Sequence, residues 1–158
     1  MSTKAKLGVF IVNNQDQLLL IKEKIKKNPE PRWNIIKGSY GDNGIETIFD
    51  TARRECQEEV SVKVELKKSL GCYIAQKEDD IRIQFNLLAE IIEGEPKISD
   101  TEEQKNYDEN ITELKWFTKE ELKSLNKDEF ISNRIFVMIN DWIEGGEYPL
   151  EIFKTVEM

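Results

Sequence analysis

The chain has 158 residues, 39% of them hydrophobic and 34% charged, a balance that predicts one soluble globular domain over 1–158 and excludes a disordered polypeptide. Its net charge of −8 disfavours broad electrostatic binding to DNA or long RNA, which needs a basic face. There is no histidine, so histidine-based triads and most zinc sites are excluded and carboxylates or lysine remain as general bases.

Residues 7–12 and 17–22 are apolar runs around Asn13-Asn14-Gln15-Asp16, a pattern that predicts a β-hairpin. Residues 24–32, KIKKNPEPR, are basic and proline-containing and read as a solvated connection. Residues 33–36 form a short strand that runs straight into Lys37-Gly38. A loop with Gly38, Gly41 and Gly44 then leads into a helix. Its apolar stripe is Ile45, Ile48, Phe49, Ala52, Cys56 and Val60, at spacings of three and four. Asn43 is the expected N-cap, with Glu46 completing a capping box, and the helix should end near Val60.

Beyond the helix, residues 62–66 and 70–75 read as strand, 77–80 as an acidic turn and 81–92 as a long strand. Residues 93–111 are polar and acidic without a periodic signal, and loops that long are usually functional or mobile. Residues 114–117 are a short strand, after which Thr118 and Glu121 cap a small helix through Leu125. Asn126 with Glu129 starts a last amphipathic helix that runs to Glu144 and stops at Gly145-Gly146. The order β-β-β-α-β-β-β-α-α predicts an α/β (α+β) fold, an α/β/α sandwich with a mixed β-sheet. No apolar run approaches the roughly 20 residues that cross a bilayer. The N-terminal segment lacks the features of a signal peptide, and Cys56 and Cys72 do not suggest a disulfide framework, so a reducing cytoplasm is expected.

Chemistry concentrates around the first helix. Glu46, Glu55, Glu58 and Glu59 lie on or beside it, just after a loop rich in backbone N–H groups. Carboxylates held that close repel one another unless a cation sits among them, which points to a divalent metal and phosphate chemistry. On a helical wheel Glu55 and Glu59 stack one turn apart beside the apolar stripe, while Glu58 points further toward solvent. Asp50, Arg54 and Glu58 are spaced for Arg54 to pair with both acids, at roughly 0.2–0.5 kcal/mol a pair. Neither Glu55 nor Glu59 has such a helical partner. Glu46 reads equally as a capping residue and as a ligand.

From Glu46 onward, the residues Arg54, Glu55, Cys56, Gln57, Glu58, Glu59, Val60, Ser61 and Val62 resemble the signature of the Nudix hydrolases, G-x5-E-x7-R-E-U-x-E-E-x-G-U, with U apolar. Two positions depart from it. Ser61 stands where the signature has its last glycine, and is expected to be mildly strained in a left-handed turn. The opening glycine falls at Tyr40 by strict counting, so Gly38 takes its role with two residues inserted in the loop.

The resemblance implies a Nudix-type sandwich over most of the chain. It implies a hydrolase dependent on Mg2+, with Mn2+ as substitute, that cuts a pyrophosphate bond in a nucleoside diphosphate linked to another moiety. That substrate is a small molecule: a nucleotide, a dinucleoside polyphosphate or a nucleotide sugar. Glu55, Glu59, Glu58 and Glu46 would hold the metal, with a backbone carbonyl from Gly38 or Ser39, and Arg54 would orient the glutamates. Lys37 would reach a phosphate. The general base is unassigned, with Glu102, Glu103, Glu109 and Glu113 as candidates. Tyr40 and Tyr73 are candidates for stacking on a base, whereas Trp33 and Phe85 read as core. The competing reading, drawn from the altered loop and Ser61, is a catalytically impaired nucleotide-binding or regulatory module. Monomer and homodimer are both open, and no membrane partner is expected.

Overall fold

The computed structural model describes residues 2–99 and 110–158. Its strands are β1 (Ser2–Ile11), β2 (Leu18–Ile25), β3 (Asn28–Asn34), β4 (Ile36–Ser39), β5 (Lys63–Lys77), β6 (Asp80–Glu93) and β7 (Ile111–Phe117). The α-helices are α1 (Ile48–Val60), α2 (Lys119–Ser124) and α3 (Asn133–Ile143), with 3₁₀ turns at Lys127–Glu129 and Leu150–Ile152. A four-stranded mixed sheet has the order β4-β1-β6-β5, with β1 and β6 parallel. A three-stranded antiparallel sheet has the order β3-β2-β7.

Strand alternation decides which residues face which helix. Leu7, Val9 and Ile11 of β1 join Ala52, Cys56 and Val60 of α1 in one fully buried cluster. Phe10, pointing the other way, joins Trp33, Phe117 and the α3 residues Ile135, Met138, Ile139 and Trp142 in a second. Each large apolar side chain so buried contributes roughly 1.5–3 kcal/mol. The result is an α/β/α sandwich, with α1 on one face and α3 on the other.

Several local expectations change. β1 and β2 are bridged only at Val12 and Leu18 and then part, β1 to the mixed sheet and β2 to the antiparallel one. Residues 24–32 are not a solvated connection but the turn and outer strand of a β2–β3 hairpin, with Glu23 opposite Arg32 and Ile25 opposite Asn28. β3 is an edge strand, where prolines that cannot donate a hydrogen bond are tolerated. The two strand signals at 62–66 and 70–75 belong to one long β5, whose register shifts near Leu66 and again near Gly71 (φ +103°). The last helix starts later than expected. Asn126 and Glu129 cap only the 3₁₀ turn, Phe130 is buried beside Trp33, and Ser132 caps a fresh helix by accepting from the N–H of Ile135. Among the described residues no helix is long and apolar enough to cross a membrane.

Candidate metal and phosphate site

The helix that carries the acids begins at Ile48, not in the loop. Thr47 Oγ accepts from the Asp50 N–H at 3.1 Å, and the Asp50 carboxylate accepts from the Thr47 N–H at 3.2 Å. That closed capping box leaves Asn43 and Ile45 in the loop, with Ile45 fully exposed rather than on the apolar stripe. At the other end Ser61 adopts the left-handed conformation (φ 61°, ψ 34°) that the missing glycine would take, and donates to the Gln57 carbonyl. The chain after β6 secures this end. The Lys97 N–H donates to the Val60 carbonyl at 3.0 Å, and Ser99 Oγ donates to the Glu58 carbonyl at 2.5 Å.

Arg54 organises the acids differently from the helical-wheel expectation. Its Nε donates to both oxygens of Glu46 (3.0 and 2.9 Å), and its Nη1 donates to Glu55 (2.9 Å) and to Glu58 (3.1 Å). Asp50 pairs instead with Arg53, at 3.6 Å on the surface. Glu55 therefore does have a partner on its own helix. The planar fork, with five N–H donors, spans carboxylates that no single i,i+4 contact would collect. Burial of the guanidinium opposes its charge, but the Glu46 hydrogen bond and the Glu55 and Glu58 charges outweigh burial and hold its proton more firmly than water does.

Glu55 and Glu59 are the buried carboxylates of the helix, at 7% and 6% exposure. Burial pushes the Glu55 carboxyl up to about 7, with the Glu58 charge adding to the effect and Arg54 pulling against it. Gly38 makes room for it: a Cβ added there would overlap the Glu55 carboxyl group. Gly38 is thus required by close approach rather than by an unusual φ, and the positive φ values of the loop fall at Gly41 and Gly44.

These groups open onto a polar cavity of about 430 Å³ lined by Glu55, Glu58, Glu59, Arg54, Lys37, Gly38 and Ser39, with Lys6, Glu23, Asp42 and Asn43. The structure thus brings together the expected metal, catalytic and phosphate-contacting residues except Glu46, while the stacking candidates Tyr40 and Tyr73 do not line this cavity. Glu46 does not line this cavity and spends both oxygens on Arg54. Lys6 Nζ donates to Ser39 Oγ at 3.2 Å, and Glu23 accepts from Asn34 Nδ2 at 2.6 Å. Burial lowers the Lys37 ammonium, and the nearby Lys6 and Arg134 charges lower it further, against the pull of Glu23 and Glu59.

Of the candidate bases, Glu113 lies exposed on β7 away from the cavity, and Glu102, Glu103 and Glu109 fall outside the described residues. Trp33 is core, in an edge-to-face contact with Phe117 at 4.9 Å between ring centroids. Phe85 is partly buried against Phe153. Tyr73 commits its hydroxyl to Asp141 at 2.6 Å. Lys6 and Glu23 were missed because both sit inside strands. Lys6 had a usable signal in the Lys4-x-Lys6-x-Gly8 alternation against Ala5, Leu7 and Val9, whereas Glu23 had none once residues 24–32 were read as a loop.

Oxygen donors of this kind suit a hard divalent cation, and the polar cavity gives such an ion room with retained waters. The Gly38 cradle fits the same purpose, since it holds a carboxylate against a strand where no side chain intervenes. Among the described residues, however, no three acidic or cysteine side chains are gathered closely enough to hold a metal ion as they stand. Arg54 Nη1 takes one oxygen of Glu55 and one of Glu58, so coordination would draw on the second oxygen of each carboxylate together with Glu59.

The NUDIX domain profile matches residues 3–137. The fold is similar to that of a NUDIX hydrolase from Nitrosomonas europaea, with 20% identity, TM-score 0.77 and 98% of each chain covered. It is also similar to a MutT NUDIX hydrolase from Burkholderia pseudomallei, with 18% identity, TM-score 0.67, and 89% of this chain and 98% of that one covered. A UDP-X diphosphatase shares the fold at 16% identity and TM-score 0.65, over 94% of this chain and 68% of that one. At these identities the likeness is one of fold.

Proposed function

This chain belongs to the NUDIX domain family, and we propose that it is a magnesium-dependent hydrolase of a pyrophosphate bond in a small nucleotide-type substrate. The observation that carries this reading is the convergence of Glu55, Glu58, Glu59, Arg54, Lys37, Gly38 and Ser39 on one polar cavity. Glu55, Glu58 and Glu59 would hold Mg2+, or Mn2+ in its place. The bound cation would offset negative charge on the phosphate oxygens and lower the pKa of an attacking water. Arg54 positions Glu55 and Glu58, and Glu46 acts through Arg54 by fixing its Nε end. Lys37 and Lys6, which line the same cavity, would supply charge to the substrate phosphates. Gly38 keeps Glu55 against the strand, and the Ser39 hydroxyl holds Lys6 in place. The two free thiols, Cys56 buried and Cys72 exposed, support a reducing cytoplasm as the setting.

A second reading is a binding or regulatory module with the fold but without turnover. It is favoured by the Arg54 contacts, which take one oxygen each of Glu55 and Glu58, and by the absence of a ready-made three-carboxylate group among the described residues. Ser61 no longer supports it, because the serine takes the left-handed turn and keeps the helix end hydrogen-bonded.

The two readings separate on magnesium-dependent release of phosphate or nucleotide from a panel of pyrophosphate substrates. Hydrolysis is expected, and Glu59→Gln should lower kcat by about two orders of magnitude or more while the thermal midpoint stays near that of the parent. Near-normal turnover in that variant would remove Glu59 from the machinery. No turnover on any substrate would favour the binding module.

A further inference from the structure

A second cavity of about 300 Å³ adjoins the acidic one, and Lys6 and Lys37 line both. Strand register explains its make-up. Lys6 on β1 lies opposite Ser39 on β4 and Gln84 on β6, and Gln84 lies opposite Tyr73 on β5. Alternation puts Arg82 on the same sheet face two residues before Gln84. The opening turns of α3 complete the wall with Arg134, Val137 and Met138.

The charge around this cavity is lopsided. Lys6, Lys37 and Arg134 form no ion pair with the described residues, in a chain whose net charge is −8. Arg82 reaches Asp80 at 3.0 Å, but both side chains are over 40% exposed, so that pair competes weakly for the guanidinium. Burial lowers the Lys37 ammonium, and the Lys6 and Arg134 charges lower it further against the pull of Glu23 and Glu59. The positive end of the α3 dipole adds to the same field. A multiply charged anion would relieve this clustering, and the apolar side chains of Val137 and Met138 leave a surface for the organic part that carries it.

We propose that this second cavity takes a phosphate-bearing part of the substrate, separate from the pyrophosphate that is cut. The substrate is then an organic polyphosphate rather than a nucleotide joined to a neutral sugar. This rests on the hydrolase reading of the adjoining site. Lys6 and Lys37 sit where the two parts of such a substrate meet, and Arg134 and Arg82 set the preference for a charged group.

Two measurements on the full chain test it. The first is calorimetric titration of inorganic tripolyphosphate into metal-free protein. Binding is expected, weakened at least tenfold in an Arg82→Gln, Arg134→Gln double variant and largely restored when the pair is Arg82→Lys, Arg134→Lys. The second is steady-state hydrolysis with magnesium of a dinucleoside tetraphosphate and of a nucleotide sugar. The tetraphosphate is expected to show at least tenfold higher kcat/KM, and Arg134→Gln is expected to raise KM for it alone. Unchanged tripolyphosphate affinity in the double variant, or equal effects of Arg134→Gln on both substrates, would overturn the proposal. Hydrolysis of neither substrate, with tripolyphosphate binding still dependent on the two arginines, would overturn the hydrolase reading and leave the anion site standing. Both arginines sit at the rim, so thermal midpoints near the parent value will show that the variants fold.

Discussion

Arg54 has one positive charge for three carboxylates, so its fork restrains Glu46, Glu55 and Glu58 without neutralising them. Gly38 provides the complementary constraint by leaving space for Glu55 on the neighbouring strand. Gly38→Ala should therefore displace the Glu55 carboxyl. The expected result is a fall in kcat of about a hundredfold and a loss of about 1–3 kcal/mol in stability from overpacking. Steady-state kinetics and chemical denaturation check both, and unaltered kinetics would show that the position of Glu55 is unimportant. Burial also gives Glu55 a pH signature. Its folded pKa, raised to about 7 from 4.5, means that between these values the folded metal-free protein holds a proton that the unfolded chain has lost. The group's contribution to stability is thus fully present below about 4.5 and is lost as pH rises through about 7. Glu55→Gln should flatten that decline in denaturation midpoints measured with a chelator present. An identical pH slope in the variant would assign the decline to other groups.

At the level of elements, α1 is fixed at both ends by local chemistry and along its length by Ala52, Cys56 and Val60. Removing the cap with Thr47→Ala should cost about 1 kcal/mol, seen as a lower denaturation midpoint with kcat nearly intact; no change would mean the loop holds the helix start without it. The acids and Arg54 could be found in the sequence because helical spacing and a specific motif coincide there. The true start of α1 could not, because Asn43-x-x-Glu46 and Thr47-x-x-Asp50 are both plausible caps and only the second closes. The Arg54–Glu58 pair is legible in the i,i+4 spacing, whereas the contacts of Arg54 with Glu46 and Glu55 depend on the reach of its fork and not on helix periodicity. Pro29 and Pro31 misdirected the reading of β3, because whether proline fits a strand depends on whether that strand is an edge, which pairing alone decides. The long final helix was split by Phe130, whose burial beside Trp33 is a tertiary contact.

Across the whole molecule, two kinds of charge meet at the mixed sheet, with Lys6 and Lys37 between them. The α1 side brings carboxylates to the end of β4, α3 brings Arg134 to the neighbouring cavity, and Lys6 of β1 and Lys37 of β4 line both cavities. A chain with a net charge of −8 attracts a polyphosphate only if cations, bound or built in, reverse the field locally. Here Arg82 and Arg134 do so in one cavity, a divalent ion would do so in the other, and Lys6 and Lys37 contribute to both.

That ion can be located directly by growing crystals with Mn2+ and measuring its anomalous scattering. The account predicts a peak in the larger cavity within bonding distance of Glu55, Glu58 and Glu59. A cavity without a peak at saturating Mn2+ would contradict it.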